Sequence, residues 1–294
     1  MPRTSNTAAF DFDDDKFQAP PSEIMPWCQI VNPRYTDNGM TPFGFAISAE
    51  NATNAGFTPD ENWQHVEYEF GDGEIKDLYL TTTPKVIVVR RGPVCIKYRE
   101  TGELVGRLGD YYDMFMANKV KFKTFTRHLV FLVGEDKKFL HPHPLRLSVS
   151  GAAGASFGSC YRLVRSGETP SGFTVELEKA YASFRNQPYV AKNFLFHAHG
   201  IYCPFIEAVE KGMGENTALV ATTTDYEHPT ASNLIDYLIP SNSKESEIIC
   251  NAFEEYQNFG QDIPKMEEPP KETTPDDGNA YVYEDEFDYA EPPY

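Results

Sequence analysis

The stretch K-V-K-F-K-T-F-T-R-H-L-V-F, residues 119–131, decides the expected fold. Read with the period of two that a strand has, its three lysines share one side and its first apolar residues share the other. The lysines are Lys119, Lys121 and Lys123, followed on their side by Phe125, Arg127 and Leu129, and the opposite side begins with Val120 and Phe122. Cations beside exposed rings suit a groove that holds a phosphate backbone and stacks unpaired bases. The alternative is an edge strand whose lysines discourage pairing with other chains.

The charge of the chain is unevenly distributed around this stretch. The formal net charge is -18, yet residues 85–165 hold fifteen of the 26 basic residues against six acidic ones. Residues 264–294 hold two lysines against ten carboxylates. An acidic protein with a central basic block can bind a polyanion, which its overall charge alone would argue against.

Composition predicts a packed domain in a reducing compartment. The chain is 40% hydrophobic and 14% aromatic, which is ample for a core. It contains no apolar run long enough to span a membrane and no signal pattern, so we expect a cytoplasmic protein that does not bind membranes. Five widely spaced cysteines are typical of free thiols and not of a disulfide framework.

Alternating patterns and turn residues predict a β-rich α+β fold, an OB-like or related antiparallel barrel or sandwich with a small helical C-terminal part. Strands are expected at 28–31, 43–47, 65–70, 86–89, 94–98, 104–108, 129–133, 145–149, 173–177, 194–199 and 218–222. Residues 150–159 are expected to form a mobile loop or a helix of small residues. Helices are expected at 205–211, 234–239 and 245–258.

The domain organisation follows from composition. Residues 1–22 and 264–294 are acidic and rich in proline, and we expect both segments to be disordered around one globular domain at 23–263. The chain ends in E-D-E-F-D-Y-A-E-P-P-Y, whose carboxylates surround Phe287, Tyr289 and Tyr294. Aromatic anchors with acidic flanks can dock into a basic pocket of a partner, and the alternative is a solubilising tail.

A β-rich body with a basic, aromatic face and an acidic tail that ends in aromatic residues resembles the bacterial and phage single-stranded-DNA-binding proteins. The resemblance implies an OB-fold and a tail that recruits replication, recombination or repair enzymes. Separately, A-H-G-I-Y-C-P-F at 198–205 and T-D-Y-E-H-P-T-A-S-N at 224–233 resemble an uncharacterised family of cyanobacterial mobile elements.

Sites for metal or catalysis have weaker support in the sequence. His197, His199 and Cys203 are donors of the right type for zinc, but a fourth ligand is missing and structural histidines are the alternative. Glu135-Asp136-Lys137 is similar to the acid-x-Lys ending of nuclease strands, with Asp60, Asp110 or Asp113 as the companion acid. A hairpin turn is the alternative there.

The sequence therefore predicts a non-enzymatic protein, without a cofactor, that binds single-stranded nucleic acid. Whether DNA or RNA is bound, and whether the protein forms a homo-oligomer, stays open. The expected binding residues are Arg90, Arg91, Lys97, Tyr98, Arg99, Lys119, Lys121, Phe122, Lys123, Phe125 and Arg127. The alternatives are a structural or assembly protein of a phage or plasmid element and a divergent metal-dependent nuclease.

Overall fold

The computed structural model describes residues 25–36, 39–70, 73–164, 167–211 and 217–261. The expected disordered segments at 1–22 and 264–294 therefore lie outside the described residues. Within the described part, no helix combines the length and the hydrophobicity that a membrane crossing needs.

The described chain forms fourteen strands and six α-helices. The strands are β1 Trp27–Val31, β2 Tyr35–Thr36, β3 Gly39–Met40, β4 Gly44–Ser48, β5 Gln64–Glu69, β6 Ile75–Thr81, β7 Val86–Arg91, β8 Cys95–Tyr98, β9 Leu104–Arg107, β10 Phe122–Leu132, β11 Leu145–Ser150, β12 Ile201–Tyr202, β13 Pro204–Lys211 and β14 Ala218–Tyr226. The helices are α1 Ala49–Ala55, α2 Tyr112–Ala117, α3 Gly151–Tyr161, α4 Phe173–Phe184, α5 Phe194–His197 and α6 Lys244–Glu255. The expected β-rich α+β class is confirmed.

Ten of the strands form one sheet in the order β12-β7-β10-β11-β1-β4-β6-β5, with β8 on β10 and β9 on β8. Every pair in this sheet is antiparallel except β1 with β11. The long strand β10 pairs with β8 along its first half and with β7 along its second half, so β8 and β7 follow one another along the same edge of β10. Strands β13 and β14 form a separate hairpin that packs on α3.

One face of the sheet carries the main core. Along β10, Thr124, Thr126 and His128 alternate into this face and are buried. Helices α3 and α4 cover it, with Phe157 and Phe173 fully buried. The aromatic rings of these helices pack edge-on or tilted against Tyr202 of β12, at centroid distances of 5.3 and 5.2 Å. Large apolar side chains thus fix the helices on this side.

The opposite face is covered unevenly. At the β7 end, Leu129 and Phe131 pack with Ile249 and Ala252 of α6. At the β5 end, a smaller cluster that includes Val31, Ala46 and Leu80 is buried. Between these clusters, residues 123–127 of β10 alternate between the two faces. Those that point to the core face are buried, and Lys123, Phe125 and Arg127, which point to this face, are only partly buried. The middle of this face is therefore where the expected binding residues could meet a ligand.

Three predicted elements were wrong in type. Residues 173–177 and 194–199 were expected to be strands but contribute to α4 and α5. Phe173, Leu177 and Phe184 recur at helical spacing, a period that the strand prediction overlooked. Residues 205–211 were expected to be a helix but form β13, because β14 pairs with them along their whole length.

The predicted start of the strand in the stretch 119–131 was also wrong. β10 begins at Phe122, whereas Lys119 and Lys121 lie in the turn that follows α2. The Lys121 N–H donates to the Asn118 carbonyl at 3.1 Å, which closes this turn. Val120, expected to face the core, is 42% exposed. Strand β6 was not predicted at all, and 150–159 forms the helix α3 that the sequence left as an alternative to a loop.

Candidate nucleic-acid interface

Four neighbouring strands place basic side chains on the open middle of the sheet. Lys123 and Arg127 of β10 lie across from Lys97 of β8 and Ser148 of β11, since these pairs are opposite in register. Arg107 of β9 lies opposite Cys95, which is itself opposite Phe125. We call the set Lys97, Arg99, Arg107, Lys123, Phe125, Arg127 and Arg146 the basic face.

Phe125 stands at the centre of the basic face and is only partly buried. The ammonium of Lys97 lies 5.6 Å from the centre of its ring, and the guanidinium of Arg127 lies 5.3 Å from it. Both distances are within the range of cation–π attraction. An aromatic ring with cations beside it can stack a base while the cations contact phosphates.

The cations of the basic face repel one another. Burial lowers the pKa of Lys123 below its ordinary value, and the charges of Lys97 and Arg99 lower it further. Burial also lowers the pKa of Arg146, with a contribution from Arg127. Among the residues that the structure describes, none of the six cations forms an ion pair with a carboxylate. An anionic ligand would relieve this repulsion.

Two of the predicted aromatic residues lie on the wrong side of the sheet. Phe122 is buried, with 4% of its surface exposed, and its ring lies 5.1 Å from the ring of Tyr98. Both side chains pack with Ile96 and Phe115 in a separate cluster on the core side. The structure therefore does not bring Phe122 and Tyr98 to the basic face, and Phe125 is the predicted aromatic residue that it does bring there.

The predicted arginine pair divides between the two faces. Arg90 lies opposite Leu129, and its guanidinium stacks 3.4 Å from the ring centre of Phe253 in α6. Its Nε donates to the Phe253 carbonyl at 3.0 Å, so Arg90 anchors α6. Arg91 lies opposite His128 on the core side, beside α3. Neighbouring residues of one strand point to opposite faces of the sheet. The groove predicted from the sequence had included both Arg90 and Arg91.

Lys119 and Lys121 lie just outside the basic face. The turn that holds them is joined to β8 by a hydrogen bond of 2.9 Å from the Arg99 N–H to the Lys121 carbonyl. Both lysines are thus neighbours of the basic face but are not part of the strand that forms it.

Sequence reasoning missed Arg107 and Arg146, together with three partly exposed neighbours on β1 and β11. These neighbours are Trp27, Gln29 and Ser148. The alternation L-R-L-S-V-S at 145–150 did indicate that Arg146 and Ser148 share a side. The pairing of β11 with both β10 and β1, which brings this side next to Phe125, could not be read from local sequence.

The candidate zinc donors have structural partners instead. His197 Nε2 lies 2.5 Å from Oε1 of the buried Glu178, and His199 contacts the Leu195 carbonyl and the Ser246 hydroxyl at 2.8 and 2.9 Å. The Cys203 thiol lies 3.8 Å from the Ile201 carbonyl. In the described ranges, no group of three His, Cys, Asp or Glu side chains is placed to hold a metal ion.

The nuclease-like motif borders a cleft of about 320 Å³ at the far end of β10, lined in part by Cys203, Phe205 and Glu227. Here Glu135 pairs with Lys85 at 2.7 Å and accepts a hydrogen bond from Asn62 at 3.0 Å. These two contacts lower the pKa of the Glu135 carboxyl. Lys137 donates to the Ile235 carbonyl instead. Glu135 thus pairs with Lys85 and not with Lys137, the lysine of the acid-x-Lys pattern.

Fold and site together define a β-rich α+β protein whose sheet carries six cations around one aromatic ring, without an ion pair to a carboxylate in the described part of the chain. Residues 22–272 match the family model described as domain of unknown function DUF5895, and the chain belongs to this family. Neither the curated proteins nor the solved structures contain a match.

Proposed function

We propose that the protein binds single-stranded nucleic acid, most readily DNA, on the basic face and so supports replication, recombination or repair. The observation that carries the proposal is the set of six cations around Phe125 that have no carboxylate partner among the described residues. Phosphates would supply the missing negative charge, and counterion release would drive binding.

Unpaired bases suit this face better than a duplex does. The ring of Phe125 can stack only on a base whose face is accessible, and a duplex buries its base faces. Partly exposed Trp27 lies opposite Arg146 in register and offers a second ring on the same side of the sheet. Gln29 and Ser148 supply neutral hydrogen-bonding groups between the rings. The mixture of rings, cations and amides is typical of single-strand binding surfaces.

The acidic tail is the second part of the proposal. Gln261, the last residue that the structure describes, accepts a hydrogen bond from Arg107 of the basic face at 2.7 Å through its side chain. The acidic residues beyond it are thus tethered beside the face whose charge they complement. We propose that they compete with nucleic acid for the basic face. Phe287, Tyr289 and Tyr294, which lie outside the described residues, would recruit partner proteins.

The finer architecture and the location are also proposals. The pairing of β10 supports a barrel-like or OB-like arrangement. This long strand pairs first with β8 and then with β7, as a long strand of a barrel pairs with both halves of the barrel. A reducing, cytoplasmic location is supported by the five cysteines, all described and all unpaired.

Fluorescence titration of the full chain with poly-dT at several salt concentrations tests the function. We expect saturable binding whose affinity falls steeply as salt rises. Absence of binding at low salt would favour a structural or assembly protein of a mobile element. Metal-dependent cleavage of the oligonucleotide that Glu135→Ala abolishes would establish the nuclease alternative.

A further inference from the structure

A second surface of the molecule exposes apolar side chains on one connection. The segment from the end of α4 to the start of α5 carries Phe184, Tyr189, Val190 and Phe194, which are 51%, 50%, 63% and 72% exposed. We call these four residues the 184–194 patch. Single exposed apolar residues are ordinary, but four within eleven residues indicate an interaction site.

The segment that carries the patch is anchored by one buried carboxylate. The Tyr189 hydroxyl donates to Oε2 of Glu178 at 2.7 Å, and the Lys192 N–H donates to Oε1 at 3.1 Å. His197, just after the patch, contacts the same Oε1. Burial alone would raise the pKa of the Glu178 carboxyl, but these hydrogen bonds bring it below its ordinary value. The patch is therefore presented in a defined conformation, which lowers the entropic cost of binding.

The charge around the patch selects the chemistry of a partner. Lys179, Arg185 and Lys192 lie on or beside it, and the sequence has neither Asp nor Glu from 179 to 206 although the chain has 44 such residues. Two patches facing each other would bring like charges together, so a symmetric patch-to-patch contact is disfavoured. A partner that fits is acidic and offers apolar anchors.

Residues 284–294 of this chain have that composition. Their sequence E-D-E-F-D-Y-A-E-P-P-Y contains five carboxylates, three aromatic rings and no cation. The described chain ends at Gln261 beside Arg107, on the face that α6 partly covers, and Leu195 of α5 also packs with the α6 cluster there. The carboxylates nearest to Gln261 in sequence are the ones proposed to occupy the basic face, which leaves residues 284–294 for the patch of a neighbour.

We propose that residues 284–294 of one molecule dock on the 184–194 patch of a second copy. The inference rests on the docking role of the tail in the proposed function, and it names the partner as another copy of the chain. Such a contact is head-to-tail, and contacts of this type build open chains when the rotation between copies does not close. Copies bound along one strand of nucleic acid would then associate cooperatively.

Sedimentation velocity of the full chain over a series of protein concentrations at low salt tests the contact. We expect association whose midpoint rises at least about tenfold in concentration when residues 284–294 are removed, the change expected for loss of a central anchor. The paired substitution Val190→Ser with Phe194→Ser should have the same effect. Ile75→Ser is the matched control, because Ile75 is 65% exposed on β6, which packs with β4, β5 and α1.

A mixing experiment tests the head-to-tail geometry. The chain without 284–294 keeps its patch, and the chain with Val190→Ser and Phe194→Ser keeps its tail. At a concentration where the full chain associates, neither variant should associate alone, and an equimolar mixture should form a one-to-one complex. A full chain that stays monomeric at every concentration overturns the proposal. Association that survives the patch substitutions overturns it as well. So does association that Ile75→Ser also abolishes.

Poly-dT binding separates this inference from the proposed function. The chain without 284–294 retains the basic face, so it should still bind the oligonucleotide, but with lower cooperativity. Self-association without nucleic-acid binding would refute the proposed function alone. Nucleic-acid binding by a chain whose tail does not contact the patch would refute the docking alone.

Discussion

At the scale of single residues, Phe125 is the group on which the proposed binding depends most. Replacing it with Ala removes the ring between Lys97 and Arg127 but leaves both charges. We expect poly-dT affinity to fall about 5- to 150-fold, since stacking of one base contributes about 1–3 kcal/mol. Tyr35→Ala removes a ring that is 72% exposed and lies outside both the basic face and the 184–194 patch, so it should leave the affinity unaltered. Equal losses in the two variants would remove Phe125 from the interface.

His228 gives a pH-dependent contribution to stability. A hydrogen bond from its Nδ1 to Glu176, 2.8 Å long, raises its pKa, and Asp225 on the other side of the ring raises it further. A raised pKa stabilises the fold below about pH 6.5, and this contribution is lost as pH rises through the folded-state value. Since the ring is half exposed, His228→Gln should lower the melting temperature by about 1 to 3 °C at pH 5.5. The difference should vanish at pH 9, and a constant difference across this range would contradict the assignment.

At the scale of elements, strands with short-range alternation could be predicted from sequence, and their pairing could not. The pattern of 145–149 predicted β11 almost to the residue. Its two partners, β10 and β1, come from distant parts of the chain, and only this pairing places Arg146 near Arg127. Local sequence contains no information on such long-range register. Five of the seven residues of the basic face were therefore predicted, whereas Arg107 and Arg146 were not.

The errors in element type have a common physical cause. Residues 173–177 are apolar enough for a buried strand, and short apolar runs do not distinguish a strand from a helix. The longer spacing from Phe173 through Leu177 to Phe184 favours the helix that is found. Residues 205–211 contain Glu207 and Glu210 at helix-like spacing, but pairing with β14 outweighs this local preference.

Strand β4 depends on a glycine at its first residue. Gly44 has a φ of +135°, and a Cβ at this position would lie 2.5 Å from the Thr81 carbonyl oxygen of β6. We expect Gly44→Ala to lower the free energy of unfolding by more than the about 1–3 kcal/mol that backbone strain alone costs. Gly39→Ala is the matched control, because Gly39 has a φ of +109° with open space around its Cβ position. Urea unfolding of both variants measures the difference, and equal values would show that the contact with β6 is unimportant.

At the scale of the whole molecule, the separation of charge predicts a regulatory tail. Residues 85–165 carry nine more basic than acidic groups, and residues 264–294 carry eight more acidic than basic groups. A chain that ends at Ile263 should bind more tightly than the full chain at low salt when the oligo-dT is too short for two copies, since cooperativity between copies plays no part there. The advantage should shrink as salt rises, because screening weakens the competition. Equal affinities at low salt would leave the tail a docking or solubilising segment only.

The salt dependence of poly-dT binding, measured for two variants, tests the basic face most directly. One variant combines Lys97→Ala, Lys123→Ala and Arg127→Ala. The other is Arg91→Gln, which removes a nearby charge from the opposite face of the sheet. If the basic face binds the phosphates, the slope of log affinity against log salt falls by about two in the first variant, near 0.7 for each lost contact, and is unchanged in the second. An unchanged slope in the first variant, or an equal loss per charge in the second, would contradict binding on this face.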